Sequence, residues 1–447
     1  MDELKGVIDQ VVTQQVAAGG FPSAGGLAVC VIRADDDPWV ATSGLRERDR
    51  GLPVTPTTRF ELCSLTKAFT ALTARTLAAQ QGLGLDAPLA SRTSQFRLAD
   101  PERRAALSLR DLLAHRAGVP AHDLFWYLAP RTPDELSEAL ARMPGIEGGF
   151  RSTFVYGNAL YGLLGHAFPE LFGVPWQEAI STQLTGPLGF SGPRDDVALP
   201  YIGMGRARDI DTRVIAAAGG LAGSIEELGR WLALWTHQGR DARGTAIAAP
   251  EHIVEALTPH MPARDVNPLL LHGLSWLDGE PLSYGLGWFL GNRRAERVAF
   301  HPGFIDGYSH LAVLLPERSL AFAVLTNVNF TALPGALVGA LLDALSDDHR
   351  QPPSHAPDAA VGHYRSELFG TATVRQEGAS LFFEHRGHRW PFTRTAGDAA
   401  RIDVTAFGLP IPLEAKLEPI AGGFRLHVPL ALDPRIPPAV FEPIAGQ

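Results

Sequence analysis

Cysteine is almost absent from this chain, which has only Cys30 and Cys63 among its 447 residues. Two cysteines cannot build the disulfide framework of a small secreted domain or a four-cysteine metal site. A long apolar run is also missing, because no segment reaches the ~18 consecutive apolar residues that span a bilayer. Asp2 and Glu3 lie where a secretory signal carries positive charge. We therefore expect a cytoplasmic protein with no membrane partner.

Dense basic runs are missing as well. Lys and Arg number 39 and Asp and Glu 48, which gives a formal net charge of −9. An acidic chain is a poor match for a phosphate backbone, so we expect no nucleic acid partner. Hydrophobic residues make up 45% and charged residues 19% of the sequence. This balance excludes general disorder, and the length predicts one large domain or two ordinary ones.

Lysine is rare among the basic residues. Only Lys5, Lys67 and Lys416 occur, and the other basic positions are arginine. Arginine keeps its charge in proteins, whereas a buried lysine can lose its proton. A lysine retained in an arginine-rich chain is therefore a candidate for work that requires a neutral amine.

The hydrophobic periodicity predicts a mixed α/β (α+β) fold for the first three quarters of the chain. Helices are predicted over residues 2–18, from Ser64 to Gly82 and over 333–345, with further helix starts at Ser108, Thr132-Pro133 and Ser224. Strands are predicted over residues 26–32, 284–290, 309–315 and 320–327.

A change in composition divides the chain. Residues 346–360 are polar and contain prolines, as is typical of a linker. Residues 361–447 alternate apolar and polar side chains, which predicts a small antiparallel barrel or sandwich. We therefore predict a catalytic domain over 1–345, a linker over 346–360 and a β domain over 361–447.

The chain has no GxSxG elbow, Walker A loop, dinucleotide-type GxGxxG or HExxH motif. Its positive signal is Ser64-Leu-Thr-Lys67. Positions i and i+3 share a helix face, so the Lys67 amine should lie close to the Ser64 hydroxyl. A serine hydroxyl needs an adjacent base, and lysine can be that base where burial or neighbouring positive charge holds it neutral. At a helix start, the Ser64 N–H is free to bind an oxyanion.

The alternative for Ser64-Leu-Thr-Lys67 is a chance match on a surface helix. The flanking residues Leu62, Cys63, Ala68 and Phe69 are apolar and favour a buried position.

Two further motifs lie downstream. Tyr156 and Asn158 precede an apolar segment, and a tyrosine beside a neutral lysine can move a proton while an amide can hold a substrate carbonyl. His301-Pro-Gly303 precedes a predicted strand pair, and its glycine permits close approach to a ligand. Taken singly, such residues usually only pack or cap.

In this order, the motifs resemble those of the serine β-lactamase and penicillin-binding-protein superfamily, in its class C-like branch, which uses S-x-x-K, then Y-x-N, then K-T-G or H-x-G. Other segments also resemble the family, namely Leu109–Pro120, Gly186–Gly189, Ala218–Gly220, Ser224–Glu227 and Tyr284–Trp288. The resemblance covers about residues 5–345, and the C-terminal β domain is similar to the lipocalin-like domain of some members. It implies an antiparallel sheet flanked by helices, a helical subdomain, and a small C-terminal antiparallel β-barrel.

The resemblance also implies roles. Ser64 attacks, Lys67 and Tyr156 move protons, and Asn158 orients the substrate. The oxyanion hole uses the N–H groups of Ser64 and of Phe304, the residue after Gly303. No metal and no cofactor are implied.

His301 stands where true β-lactamases have the K-T-G lysine that binds the β-lactam carboxylate. One interpretation is a histidine that hydrogen-bonds Tyr156. The other is a change of acyl donor, because H-x-G resembles the motif of D-specific peptidases, some esterases and penicillin-binding-protein-type thioesterases that cyclise nonribosomal peptides. Pro302 is unusual within this motif.

We therefore expect a serine acyltransferase or hydrolase that acts on peptides or peptidyl thioesters with a D-residue at the acyl donor. Release and macrocyclisation of a nonribosomal peptide, presented as a carrier-bound thioester, is the first hypothesis. A D-specific peptidase and a carboxylesterase for small esters are the alternatives, and a non-enzymatic scaffold is the third class. The sequence does not predict the oligomeric state.

Arg435 lies in a proline-stiffened run near the chain end. It could pair with Asp433 or Glu442 as a surface residue. On the functional hypothesis, the β domain folds over the cleft and Arg435 binds a substrate carboxylate or carbonyl, for which a planar guanidinium is suited.

Overall fold

The computed structural model describes residues 2–33, 37–129, 131–191, 195–278, 281–345, 360–366, 370–377, 380–385, 388–394, 399–402, 413–420, 423–428 and 439–443. The chain divides into two compact units, residues 1–344 and 345–447. Each unit has a hydrophobic core of its own. The first unit contains the residues that the sequence analysis assigned to catalysis.

Among the described residues of the first unit, the strands form one large antiparallel sheet and three small two-stranded ones. They are β1 (Leu27–Arg33), β2 (Trp39–Ser43), β3 (Leu45–Glu47), β4 (Leu52–Pro53), β5 (Arg59–Glu61), β6 (Tyr201–Ile202), β7 (Gly205–Arg206), β8 (Ala222–Ser224), β9 (Met261–Pro262), β10 (Ser283–Tyr284), β11 (Phe289–Arg293), β12 (Glu296–Ile305), β13 (Tyr308–Leu315) and β14 (Leu320–Thr326). The order in the large sheet is β2-β1-β14-β13-β12-β11-β10-β9. The predicted antiparallel sheet is confirmed.

The helices described in the first unit are α1 (Asp2–Ala17), α2 (Thr66–Gln80), α3 (Pro101–Ala106), α4 (Leu109–Leu113), α5 (Leu124–Tyr127), α6 (Pro133–Arg142), α7 (Ala159–Phe172), α8 (Trp176–Ile180), α9 (Ala216–Gly219), α10 (Ile225–Thr236), α11 (Pro250–Ala256) and α12 (Leu333–Ala344). Of these, α10 packs against β1, β13 and β14, and α12 packs against β13 and β14. Every residue of β13 and β14 is buried, which explains why these strands are nearly continuous apolar runs. The capping boxes at Ser108, Thr132 and Ser224 are formed.

One predicted strand was wrong. Residues 284–290 do not form a single strand, because β10 ends at Tyr284 and β11 begins at Phe289. Between them, Gly287 has a φ of +80°, a left-handed conformation that favours glycine. A Cβ at this position would lie 2.6 Å from the Ala68 Cα, so the turn packs directly against the first turn of α2.

Eight strands of the second unit's described residues form a closed antiparallel barrel. They are β15 (Gly362–Ser366), β16 (Gly370–Glu377), β17 (Ser380–His385), β18 (His388–Arg394), β19 (Ala399–Ile402), β20 (Leu413–Ile420), β21 (Gly423–Val428) and β22 (Ala439–Pro443). The barrel closes where Tyr364 and Arg365 of β15 pair with β22. Leu426 and Val428 alternate inward and are fully buried, as the sequence pattern indicated. The predicted all-β character and the barrel alternative are confirmed.

Candidate active site

Ser64 lies in the turn that joins strand β5 to helix α2. Three residues, Cys63–Leu65, form a 3-10 turn directly before α2. Cys63 has a φ of 51° although it is not a glycine. Such left-handed backbone costs about 1–3 kcal/mol and is typical of functional turns. Strand β5, which precedes the turn, pairs with β8, and the Leu62 N–H donates a hydrogen bond to Leu221 O. These bonds hold the turn in place.

Lys67 is fully buried, and its amine lies at the centre of the site. Its Nζ is 3.0 Å from Ser64 Oγ, 2.7 Å from Asn158 Oδ1 and 3.1 Å from the Ala218 carbonyl oxygen. Burial lowers the pKa of Lys67 to about 7, against the opposing effect of the Asp123 carboxylate. A large fraction of the amine is therefore neutral near physiological pH.

Tyr156 is partly buried beside this amine, and its hydroxyl oxygen is shielded from solvent. Lys67 Nζ lies 4.7 Å from the centre of the Tyr156 ring. Burial raises the Tyr156 pKa well above its ordinary value, while the neighbouring Ser64 hydroxyl opposes the rise. The Tyr156 hydroxyl makes no well-aligned hydrogen bond within the described residues. The raised pKa keeps this hydroxyl protonated, so it has a proton to donate next to Ser64.

His301 is fully buried, and both of its ring nitrogens have partners. Nδ1 lies 2.7 Å from the Pro302 carbonyl oxygen, and Nε2 lies 3.0 Å from the Tyr284 hydroxyl. Since a carbonyl can only accept, Nδ1 carries the proton and Nε2 accepts from Tyr284. The interpretation that His301 hydrogen-bonds Tyr156 was therefore wrong, because the two rings only pack at a centroid distance of 5.9 Å.

The His301 imidazole carries no charge near neutral pH. Burial, reinforced by the positive charge of Lys67, lowers its pKa to about 3. It therefore differs in charge as well as shape from the lysine that the K-T-G motif supplies.

Gly303 brings strand β12 against the Ser64 turn. A Cβ on Gly303 would lie 3.0 Å from Leu62 O and 3.4 Å from Cys63 Cβ. Pairing with β11 ends at Phe300, so the following residues of β12 have one open edge. This edge and the Ser64 turn are adjacent.

Pro302 fits this strand because of its position in the ladder. It pairs with Leu311 of β13 but has no N–H to donate. In an antiparallel ladder, alternate residues direct their N–H groups to opposite sides. His301 and Gly303 therefore direct their N–H groups to β13, and Phe304 directs its own to the open edge. That is the direction an oxyanion donor at Phe304 requires.

Three neighbours of the site were not singled out as site residues from the sequence. Tyr284 and His115 lie in segments that carried the family resemblance, and Asp123 had no signal. The His115 ring packs 4.6 Å from that of Tyr156 and 5.0 Å from that of Tyr284. Burial first, and then the charge of Lys67, hold the His115 pKa well below its usual range.

Asn158 contacts Lys67 through Oδ1 and the Asp123 carboxylate through Nδ2, at 3.1 Å. Its expected role in orienting substrate is accordingly joined to a role in holding the lysine.

Arg435 and Asp433 lie outside the described residues. Glu442, one of the two acids considered as partners of Arg435, accepts a hydrogen bond from Arg425 at 2.7 Å.

Within the described ranges, no three His, Cys, Asp or Glu side chains are grouped so as to hold a metal ion. None of the helices described there is long and apolar enough to cross a membrane.

Comparison with known proteins places this geometry in a family. The model of the family described as Beta-lactamase matches residues 8–345. The chain belongs to the beta-lactamase family. Its beta-lactamase-like segment thus includes Ser64, Lys67, Tyr156, Asn158 and the His301-Pro-Gly303 strand, and members of this class are serine hydrolases.

Curated relatives in this class are distant in sequence. Protein flp of Staphylococcus aureus (strain N315) is 23% identical over 335 residues, which are 73% of this chain and 64% of the relative. Unguisins hydrolase ungD of Aspergillus violaceofuscus is 23% identical over 361 residues, 71% of this chain and 61% of the relative. The chain therefore spans less than two thirds of the length of these relatives.

Solved structures share the fold over nearly the whole chain. The octameric penicillin-binding protein homologue from Pyrococcus abyssi has a TM-score of 0.67 and 21% identity, with 99% of this chain and 100% of that chain covered. SurE, solved with D-Leu, has a TM-score of 0.60 and 24% identity, with 96% and 97% covered. At these identities the similarity establishes the fold alone.

Proposed function

We propose that this protein forms an acyl intermediate on Ser64 and passes the acyl group to water or to an amine. The observation that carries the proposal is the fully buried Lys67 amine, 3.0 Å from Ser64 Oγ and with its pKa lowered to about 7. When neutral, it has two N–H groups for its acceptors, Asn158 Oδ1 and Ala218 O. Its lone pair is then left for the Ser64 proton.

Acylation begins when Lys67 takes the Ser64 proton as Oγ bonds to the carbonyl carbon of the donor. The carbonyl electron pair moves to oxygen, where the N–H groups of Ser64 and Phe304 stabilise the negative charge. When the carbonyl re-forms, the leaving group departs with a proton from Tyr156. The Lys67 ammonium then returns a proton to Tyr156, so the site is neutral again.

Deacylation repeats these steps with a new nucleophile. Water or an amine attacks the acyl carbon, loses a proton to the site, and displaces Ser64 Oγ, which regains its proton. Water yields a free acid, an external amine yields an amide, and the amine of the same peptide yields a ring. The balance between them depends on how well water is excluded.

We propose that the acyl donor is a peptide or peptidyl thioester with a D-residue at its acyl end, and that the reaction is nonribosomal peptide release and macrocyclisation. Three observations support this choice. SurE, which shares the fold, has been solved with D-Leu. His301 lacks the positive charge that the K-T-G lysine offers a β-lactam carboxylate. The His301-Pro-Gly303 motif also resembles the H-x-G of D-peptide enzymes.

Hydrolysis of D-residue peptides is the second candidate, and the name of the relative Unguisins hydrolase ungD supports hydrolysis as the reaction. It uses the same acyl intermediate and differs only in the nucleophile.

Paired peptidyl N-acetylcysteamine thioesters with D- or L-alanine at the acyl end test the proposal, with p-nitrophenyl butyrate as a small ester and Ser64→Ala as the control. Mass analysis should find faster turnover of the D-thioester and a cyclic product. Free acid from the D-substrate alone would replace cyclisation by D-peptide hydrolysis. Turnover confined to the small ester would overturn the peptide assignment in favour of a carboxylesterase.

A further inference from the structure

The half-buried carboxylate of Asp123 contacts Asn158, which in turn contacts the proposed base, Lys67. Asp123 Oδ2 accepts a hydrogen bond from Asn158 Nδ2 at 3.1 Å, and Oδ1 accepts one from the Asn158 backbone N–H at 3.1 Å. The Trp126 indole N–H also donates to Oδ1, at 2.8 Å. These three bonds hold the carboxylate at the junction of α5 and α7.

This arrangement determines which way the Asn158 amide points. An ionised carboxylate can only accept, so Nδ2 must face Asp123. Oδ1 consequently faces Lys67, where it lies 2.7 Å from Nζ. Without the carboxylate, the amide could turn and present Nδ2 to the lysine. Two N–H donors would then face each other whenever Lys67 is charged.

We propose that Asp123 is a positioning residue, which sets the orientation and the basicity of Lys67 through Asn158. This rests on the proposed Ser64 acylation chemistry. The carboxylate fixes the acceptor that directs the Lys67 lone pair to Ser64, and its negative charge favours the lysine ammonium. Loss of the charge therefore makes Lys67 a weaker base, and loss of the position misaligns it.

Several groups face Lys67 from the surrounding elements. Burial disfavours the charged form of Lys67, and the Asp123 carboxylate is the larger of the effects that favour it. The rings of Tyr156 and Tyr161 lie 4.7 and 5.7 Å from Nζ. The neutral imidazoles of His115 and His301 also lie in the electrostatic range of Lys67. Asp123 is the carboxylate among these neighbours of Lys67. Its removal should therefore lower the pKa of Lys67.

The test measures acylation of Ser64 by p-nitrophenyl acetate, quenched at successive times and read by intact mass, between pH 5 and 9. Wild type, Asp123→Asn, Asp123→Glu and Ser64→Ala are compared. Asp9→Asn is the matched control, because it removes the same charge from an exposed surface ion pair. We expect Asp123→Asn to lower the high-pH plateau about tenfold and to move the acidic limb down by about half a pH unit. Asp9→Asn should change neither.

Asp123→Glu keeps the negative charge but displaces it. The acidic limb of its acylation rate profile should therefore stay near the wild-type pH, while the acylation rate at the high-pH plateau falls. An Asp123→Asn limb at the wild-type pH would overturn the proposal. Should Asp123→Asn fail to fold, a wild-type plateau in Asp123→Glu would overturn it instead. Absence of any adduct on the wild type would contradict the Ser64 chemistry itself, which separates the two failures.

Discussion

The Lys67 amine lies 3.0 Å from the Ser64 hydroxyl inside a side-chain cluster that excludes water from the lysine. This relationship joins two requirements that are hard to meet together. The base must lie close enough to the hydroxyl to take its proton, and it must be buried enough for the amine to be neutral. An arginine at the same position would meet only the first.

Lys67→Arg should therefore inactivate the enzyme as fully as Ser64→Ala. Arginine keeps its charge and cannot accept the serine proton. The loss of one member of a concerted group costs several orders of magnitude in rate. Steady-state turnover of a thioester substrate measures the effect. The control is Arg75→Lys, which exchanges the same two residue types in the reverse direction at an ion pair with Glu255. More than a tenth of wild-type activity in Lys67→Arg would exclude the general-base role.

The activity should rise with pH through about 7. The free enzyme is active when Lys67 is neutral, and its pKa is lowered to about 7. The acidic limb of the kcat/KM profile should consequently have its midpoint near that value. His301, with a pKa of about 3, should contribute no limb between pH 5 and 8. A flat profile across this range would show that another group, or none, supplies the base.

Lys67 should also make stability depend on pH. Its pKa is lowered from 10.5 to about 7 in the folded protein, so the unfolded chain binds the extra proton between these values. The stability from this group is thus complete above the unfolded pKa and is lost as the pH falls to the folded pKa. Denaturant unfolding should show that Lys67→Met gains about 3 kcal/mol relative to wild type between pH 9 and pH 6. An equal difference at both pH values would argue that Lys67 stays charged in the folded state.

His301→Ala should slow turnover but still permit acylation of Ser64. The imidazole is neutral and bonded to Tyr284, so it supports the site without being the base for the nucleophile. Tyr284→Phe removes the same bond and should slow the reaction comparably, and the double variant should be little worse than either single one. Intact-mass rates of adduct formation measure all three. Additive losses would mean that His301 and Tyr284 act independently.

Gly303→Ala should reduce activity through a steric clash. Its Cβ would lie 3.0 Å from Leu62 O, so β12 or the Ser64 turn must shift and the oxyanion donor at Phe304 moves with it. Because reacting groups must be placed accurately, even a shift of a few tenths of an ångström at this donor should lower kcat about tenfold. Gly6→Ala, where the Cβ meets nothing within 4 Å, is the control and should leave kcat unchanged. A wild-type kcat in Gly303→Ala would remove the β12 edge from the mechanism.

The sequence predicted the parts of this structure that depend on local spacing. The i and i+3 positions of Ser64 and Lys67 place them together, and the apolar runs of β13 and β14 indicated buried strands. The broken strand at Gly287 was missed because its glycine is needed to approach α2, a contact that the local pattern does not encode. For the same reason Asp123, which is 35 residues from Asn158, gave no sign of its contact.

The role of Arg435 stays a prediction. If it binds a substrate carboxylate or carbonyl, Arg435→Ala should raise KM for the D-thioester, while Arg425→Ala, at the Glu418 and Glu442 ion pairs, should not.

The most direct test of the account is the mass of the intact protein after brief exposure to an activated acyl ester at pH 8. The account predicts one acyl adduct on the wild type, mapped to Ser64 by peptide sequencing, a slower adduct on His301→Ala, and none on Ser64→Ala or Lys67→Arg. An adduct on another residue, or an equally rapid adduct on Lys67→Arg, would contradict the proposal that a buried neutral lysine activates Ser64.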